Sequence, residues 1–182
     1  YRVRKNIKAF LFLCAYFFYI DGVDTIIRMA ASFGTTVGIN STTLLVILLV
    51  TQFVAFPFAI IYGKLAQIFK GKAMLIAGIC VYIVICILAF FLKTAREFWI
   101  LSILVGSSQG GIQALSRSYF AKMIPKENSN EFFGFYNIFG KFAAIMGPFL
   151  VGIVTQITGD VRNGVLSLIL IFIVGGVLLL KD

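Results

Sequence analysis

Asp21, Asp24 and Arg28 stand in a run of otherwise apolar residues, where charge is expensive. At roughly 100° per residue the three share one helical face, with Thr25 beside them. A charge at the centre of a membrane-spanning helix costs about 2.5–3.5 kcal/mol, and each Leu, Ile or Phe returns only about 0.3–0.6 kcal/mol. Three such charges roughly cancel the apolar run from Ala9 to Ile20, so this face must meet protein or water and not lipid. Two readings follow. Asp24 and Arg28, one turn apart, form a local ion pair, which leaves Asp21 unexplained. Alternatively the face is functional: Asp21 and Asp24 bind a coupling proton or cation, and Arg28 attracts an anionic or zwitterionic solute.

A second polar stripe, Gln109, Gln113 and Arg117, repeats every four residues beside a small-residue ridge of Ser102, Gly106, Gly110, Ala114 and Ser118. The ridge is accounted for by close helix packing. Two glutamines and an arginine on one face have no packing rationale in lipid, although Arg117 is placed to snorkel to the interface. Gln109 and Gln113 are suited to orienting a solute by hydrogen bonds, and Arg117 to attracting it by charge. Asn137 and Lys141 add a third pair one turn apart, among Gly134, Gly140, Gly147 and Pro148. Those glycines and the proline mark close packing or a bend. Asn137 joins the solute-orienting set, and Lys141 either attracts the solute or snorkels.

Long helices must position these residues. Of the 182 residues 60% are hydrophobic and 13% charged, against about 25% charged in soluble domains, too little charge to cover a surface in water. Six stretches reach the ~20 residues a span needs: 7–33, 43–66, 73–93, 98–121, 131–157 and 164–180. The strict alternation of a β-barrel is missing. The net charge of +9 is spread in short clusters between spans, which excludes a nucleic-acid groove. Arg2, Arg4, Lys5, Lys8, Lys64, Lys70, Lys72, Lys122, Lys126 and Lys181 fall on one side, and Lys93, Arg96 and Arg162 on the other. That bias places both termini in the cytoplasm, and the expected location is the cell membrane.

Histidine is absent, removing the commonest general base and metal ligand. Cys14, Cys80 and Cys86 lie in apolar runs and read as small hydrophobes. No base–nucleophile pair is visible, so neither an enzyme nor a cofactor or metal site is expected. Gly34, Gly38, Asn40 and Ser41 predict one turn, Pro125 to Asn130 another, and Gly159 to Gly164 a third. Asn128 and Glu131 fit a capping box. The chain opens on Tyr1 with neither an initiator methionine nor a signal peptide, and the expectation is part of a longer protein.

The expected fold is therefore all-α, a single six-helix transmembrane domain over 1–182. Charges and amides gather in the first and fourth spans, while the third and sixth are almost purely apolar and are expected on the lipid-facing rim. Residues 1–93 and 94–182 thus read as two three-helix units with matching tasks, as in the inverted repeats that build each half of major facilitator transporters.

Motifs agree with that architecture. Gly63-Lys-Leu65-Ala-Gln67-Ile-Phe-Lys-Gly71-Lys72 resembles the loop signature of the major facilitator superfamily, with Gln67 in place of its acidic residue and the late glycine displaced. Gln109-Gly-Gly-Ile-Gln-Ala-Leu-Ser-Arg-Ser-Tyr-Phe-Ala-Lys-Met-Ile-Pro125, Glu131-Phe-Phe-Gly-Phe, Gly147-Pro148 and Tyr19-Ile-Asp-Gly-Val-Asp24 together resemble the branch related to autophagy-linked vacuolar amino-acid effluxers and to bacterial permeases. The resemblance covers the whole chain as the last six of twelve spans. It implies a rocker-type carrier whose site lies between two halves, lined here by the first and fourth spans. The partners it implies are the lipid bilayer and an N-terminal six-span half or a second copy, with a small solute and a coupling proton or cation. The rival reading is a six-span substrate-capture or structural subunit of a larger transport complex.

Overall fold

The computed structural model describes residues 7–125 and 129–181, and these are helical apart from short connections. In order they form α1 (Ile7–Thr36), α2 (Ser41–Ile68), α3 (Gly71–Phe91), α4 (Ala95–Met123), α5 (Ser129–Ala143), α6 (Met146–Thr158) and α7 (Val161–Lys181). No strand occurs among the described residues. Taking α5 and α6 as one span, six helices are long and apolar enough to cross a bilayer. The chain is a multi-pass membrane protein built as the hydropathy pattern predicts.

Local chemistry sets the helix ends. Asn40 accepts from the Thr43 amide at 2.8 Å and caps α2, and Gly38 turns the chain before it at φ 82°. At the start of α4, Thr94 and Glu97 form a reciprocal capping box. The box expected at Asn128 and Glu131 has its first member outside the described residues, as do Arg2, Arg4, Lys5 and Lys126. The predicted loop signature is largely helical: Gly63, Leu65 and Gln67 lie in the last turns of α2, and only Phe69 and Lys70 separate α2 from α3. Lys70, not the displaced Gly71, takes the positive φ, at 62°. Lys72 donates to the Leu180 carbonyl at 3.3 Å and ties α3 to the end of α7.

The fifth span departs from its prediction as one helix over 131–157, and Pro148 explains the difference. Proline has no amide proton, so the carbonyl four residues earlier, Ala144, loses its helical donor, and the ring crowds that carbonyl. The chain turns at Ala144 and Ile145. Ile145 N–H reaches only back to Ala143 O at 2.8 Å, and regular bonding resumes with Phe149 N–H to Ile145 O at 3.3 Å.

Packing follows the small residues. α2 lies along α4, where the ridge brings backbones together: a Cβ on Gly106 would sit 2.6 Å from the Thr51 carbonyl, and one on Gly110 would collide with the Ala55 carbonyl. α1 packs on α7, α5 and α4, and α3 on α4 and α7. The third and sixth spans do show apolar outer faces, such as Val84 and Leu88 on α3 and Leu170 and Ile173 on α7. Their inner faces nevertheless meet in the core, where Tyr82 stacks on Phe172 at 5.4 Å between centroids. The least buried spans are α2 and the fifth, which expose Phe53 and Phe56, and Phe142 and Phe149. Of the cysteines, Cys86 is buried as expected, Cys14 is half-buried and Cys80 lies on an exposed face.

Candidate functional site

Midway along α1, Asp21 and Thr25 are each 0% exposed and face the break in the fifth span. Gly147, at the start of α6, permits the approach: a Cβ there would overlap Thr25 Oγ1 and lie 3.1 Å from Asp21 Oδ1. The Gly147 amide is directed at the carboxylate without reaching hydrogen-bond geometry, so Asp21 Oδ1, Asp21 Oδ2 and Thr25 Oγ1 all lack a partner. A buried polar group left in this state costs about 1–3 kcal/mol. Such groups persist where function requires them.

Arg28, one turn beyond Asp24, does not form the local pair with it. Its Nη1 donates to the Ala144 carbonyl at 3.3 Å, the same carbonyl that Pro148 deprives of a helical donor. Sequence spacing alone favours Asp24–Arg28; the orphaned carbonyl supplies a competing acceptor that periodicity cannot show. Asp24 is half-buried and Arg28 exposed. Both are close enough to act electrostatically on Asp21, with opposite sign.

The second stripe divides along its length. Gln109 is buried, 7% exposed, with Oε1 unpartnered, whereas Gln113 and Arg117 lie on the exposed face of α4. The Arg117 guanidinium sits 5.5 Å from the centroid of the Phe133 ring, a cation–π contact joining α4 to α5. Asn137 and Lys141 are exposed on α5. The structure thus sets Asp21 and Arg28 against the fifth-span break, with Asp24 in electrostatic reach of both, and leaves Gln113, Arg117, Asn137 and Lys141 on the surface of the chain. In the signature, Gly63 has open space around it, while Gly71 packs against the Tyr119 ring.

Several polar residues beside the site escape a reading by charge alone. The Tyr19 hydroxyl lies 2.7 Å from Ser116 Oγ. Ser116 spends its proton on the Ile112 carbonyl at 2.6 Å, so Tyr19 is the donor, and this bond ties α1 to α4 two residues from Asp21. Tyr16 stacks on Tyr136 at 4.2 Å, and Tyr136 on Phe120 at 5.3 Å, an aromatic wall between α1, α4 and α5. Tyr82 is fully buried with its hydroxyl unpartnered. A tyrosine within a span was the available signal, since its hydroxyl needs a partner there.

Known proteins resemble this chain over part or nearly all of its length. Residues 1–181 match the family described as vacuole effluxer Atg22 like. The uncharacterized MFS-type transporter YxiO of Bacillus subtilis (strain 168) is 60% identical over 178 residues, 98% of this chain and 42% of that protein. Autophagy-related protein 22 of Vanderwaltozyma polyspora is 31% identical over 84% of this chain and 32% of its own length. In Saccharomyces cerevisiae (strain S288c) the protein of that name is 42% identical over 74 residues, 41% of this chain and 14% of its own. This chain therefore spans well under half the length of these relatives.

Proposed function

Because this chain belongs to the Atg22-like vacuole effluxer family, we propose that it is the C-terminal half of a secondary active transporter that moves a small polar solute by alternating access. The observation that carries this reading is the buried, unpartnered Asp21 and Thr25 beside the broken fifth span. Transporters place ion and substrate sites where a discontinuous helix exposes backbone near the bilayer midplane. Structural charges, in contrast, find partners.

The solute is anionic or zwitterionic, such as an amino acid. Arg28, Arg117 and Lys141 supply positive charge, and Gln109, Gln113 and Asn137 supply hydrogen bonds. Asp21 carries the coupling ion, and Asp24 acts on it through its charge. Gln113, Arg117, Asn137 and Lys141 are exposed on this chain and would face a second six-span half. The apolar faces of α2 and the fifth span, with Phe53 and Phe149, would pack beside it. The two-repeat organisation is supported by the packing. Exchanging α1, α2 and α3 for α4, the fifth span and α7 carries the α2–α4 contact onto that of the fifth span with α1, and α1–α7 onto α4–α3. The excess of basic residues at that end favours cytoplasmic termini, and the membrane of this reading is the cell membrane.

Counterflow tests the reading. Full-length protein in proteoliposomes loaded with unlabelled amino acids should take up the corresponding labelled one transiently and saturably. Binding with no counterflow for any of a broad panel of anionic and zwitterionic solutes would favour the substrate-capture subunit instead.

A further inference from the structure

If the chain works as a coupled carrier, its coupling particle has to meet the three unpartnered oxygens at the fifth-span break. Thr25 Oγ1 and Asp21 Oδ1 both crowd the same side of Gly147, where a Cβ would meet them, yet they are not hydrogen-bonded to each other. Helical hydroxyls ordinarily bond back to their own helix. Thr51 does so to Ile47 O at 2.8 Å and Ser116 to Ile112 O at 2.6 Å. Thr25 does not, and its hydroxyl faces the start of α6.

The donor set is one carboxylate and one hydroxyl, both facing the start of α6. Both are hard oxygen donors, which select hard cations. A single negative charge at full burial balances one positive charge, not two. A proton on Asp21 would make one carboxylate oxygen a donor in need of an acceptor and would leave Thr25 Oγ1 unpartnered, because the two groups are not in hydrogen-bond contact. A small cation between them would engage both.

We propose that Asp21 and Thr25, against the backbone of the fifth-span break, form a binding site for a hard monovalent cation of the sodium class. This cation, and not a bare proton, is the coupling particle. The assignment rests on the carrier reading above, but cation binding is measurable without a solute. Asp24 lies outside the site and shapes its field.

The test is thermal unfolding of the purified full-length protein at fixed pH and ionic strength, with sodium replacing N-methylglucamine. Sodium should raise the midpoint saturably, as any ligand of the folded state does. Thr25→Val keeps the shape and removes the oxygen, and should weaken the apparent sodium affinity by about tenfold or more. Asp21→Asn should abolish the shift, and Thr25→Ser should keep it. Should Thr25→Val fail to fold, radiolabelled sodium binding to Thr25→Ala reads the same loss. No sodium shift in the parent protein, or an undiminished shift in Thr25→Val and Asp21→Asn, would overturn the site. A sodium shift without solute counterflow would leave the cation site standing and remove the carrier; counterflow without a sodium shift would do the reverse.

Discussion

Gly106→Ala should loosen the α2–α4 seam, and the cost can be worked from one contact. The added methyl would stand 2.6 Å from the Thr51 carbonyl oxygen and 3.3 Å from Val54 Cβ. Carbon–oxygen contacts settle at about 3.3 Å or more, so α2 must retreat by roughly 0.7 Å along this stretch. A gap of that size forfeits about a quarter to a half of each dispersion contact it opens. Helix association in lipid depends on those contacts in place of hydrophobic burial. Overpacking typically costs about 1–3 kcal/mol, and the upper part of that range applies because a backbone carbonyl cannot rotate aside. Gly110 meets the Ala55 carbonyl in the same seam, so one retreat relieves both clashes, and the double alanine variant should cost less than the sum of the singles. Gly63→Ala is the control: nothing lies within 4 Å of its Cβ, and helix propensity should make it neutral or stabilising by up to about 1 kcal/mol. Unfolding of the detergent-solubilised full-length protein by heat or by SDS titration reads all four variants. If Gly106→Ala proved as benign as Gly63→Ala, or the two seam variants added fully, the close-approach account of the ridge would be wrong.

Three further outcomes are expected. Pro148→Ala restores a donor for the Ala144 carbonyl and releases Arg28, so stability should rise while counterflow falls; unchanged counterflow would show that the break is not functional. Thr94→Ala removes one half of the capping box at the start of α4 and should cost about 1 kcal/mol in the same unfolding assay, with transport unaffected. Lys70→Gly relieves the positive φ between α2 and α3 and should stabilise by about 1 kcal/mol; a loss of stability would mean that the Lys70 side chain makes a contact worth more than that strain.

Spans are legible in the sequence because they depend on summed hydropathy, a property of the chain itself. The ridge on α4 is equally readable, since a four-residue repeat of small side chains fixes one face of one helix. Partners are a different matter. Asp21, Asp24 and Arg28 share a face by periodicity, yet which acceptor Arg28 takes depends on a carbonyl 116 residues away, orphaned by a proline in another span. Gly147-Pro148 announces a bend without saying what it faces. The Tyr19–Ser116 bond spans 97 residues and has no local signature. The positive-φ residue between α2 and α3 falls on Lys70 and not on the neighbouring glycine, because its position is set by where α2 stops. Gln113, Arg117, Asn137 and Lys141 share helical faces as the spacing requires, but their exposure here is decided by packing that no single helix encodes.

The central claim, that the buried face of α1 couples solute movement to an ion, is tested most directly by comparing two modes of transport in one variant. Asn at position 21 keeps the shape of the side chain and removes its charge. Full-length Asp21→Asn in proteoliposomes should retain solute exchange and lose accumulation driven by an imposed ion gradient, and an Asp24→Asn second change should not restore it. Undiminished accumulation by the double variant would contradict the account and reduce this face of α1 to a structural element.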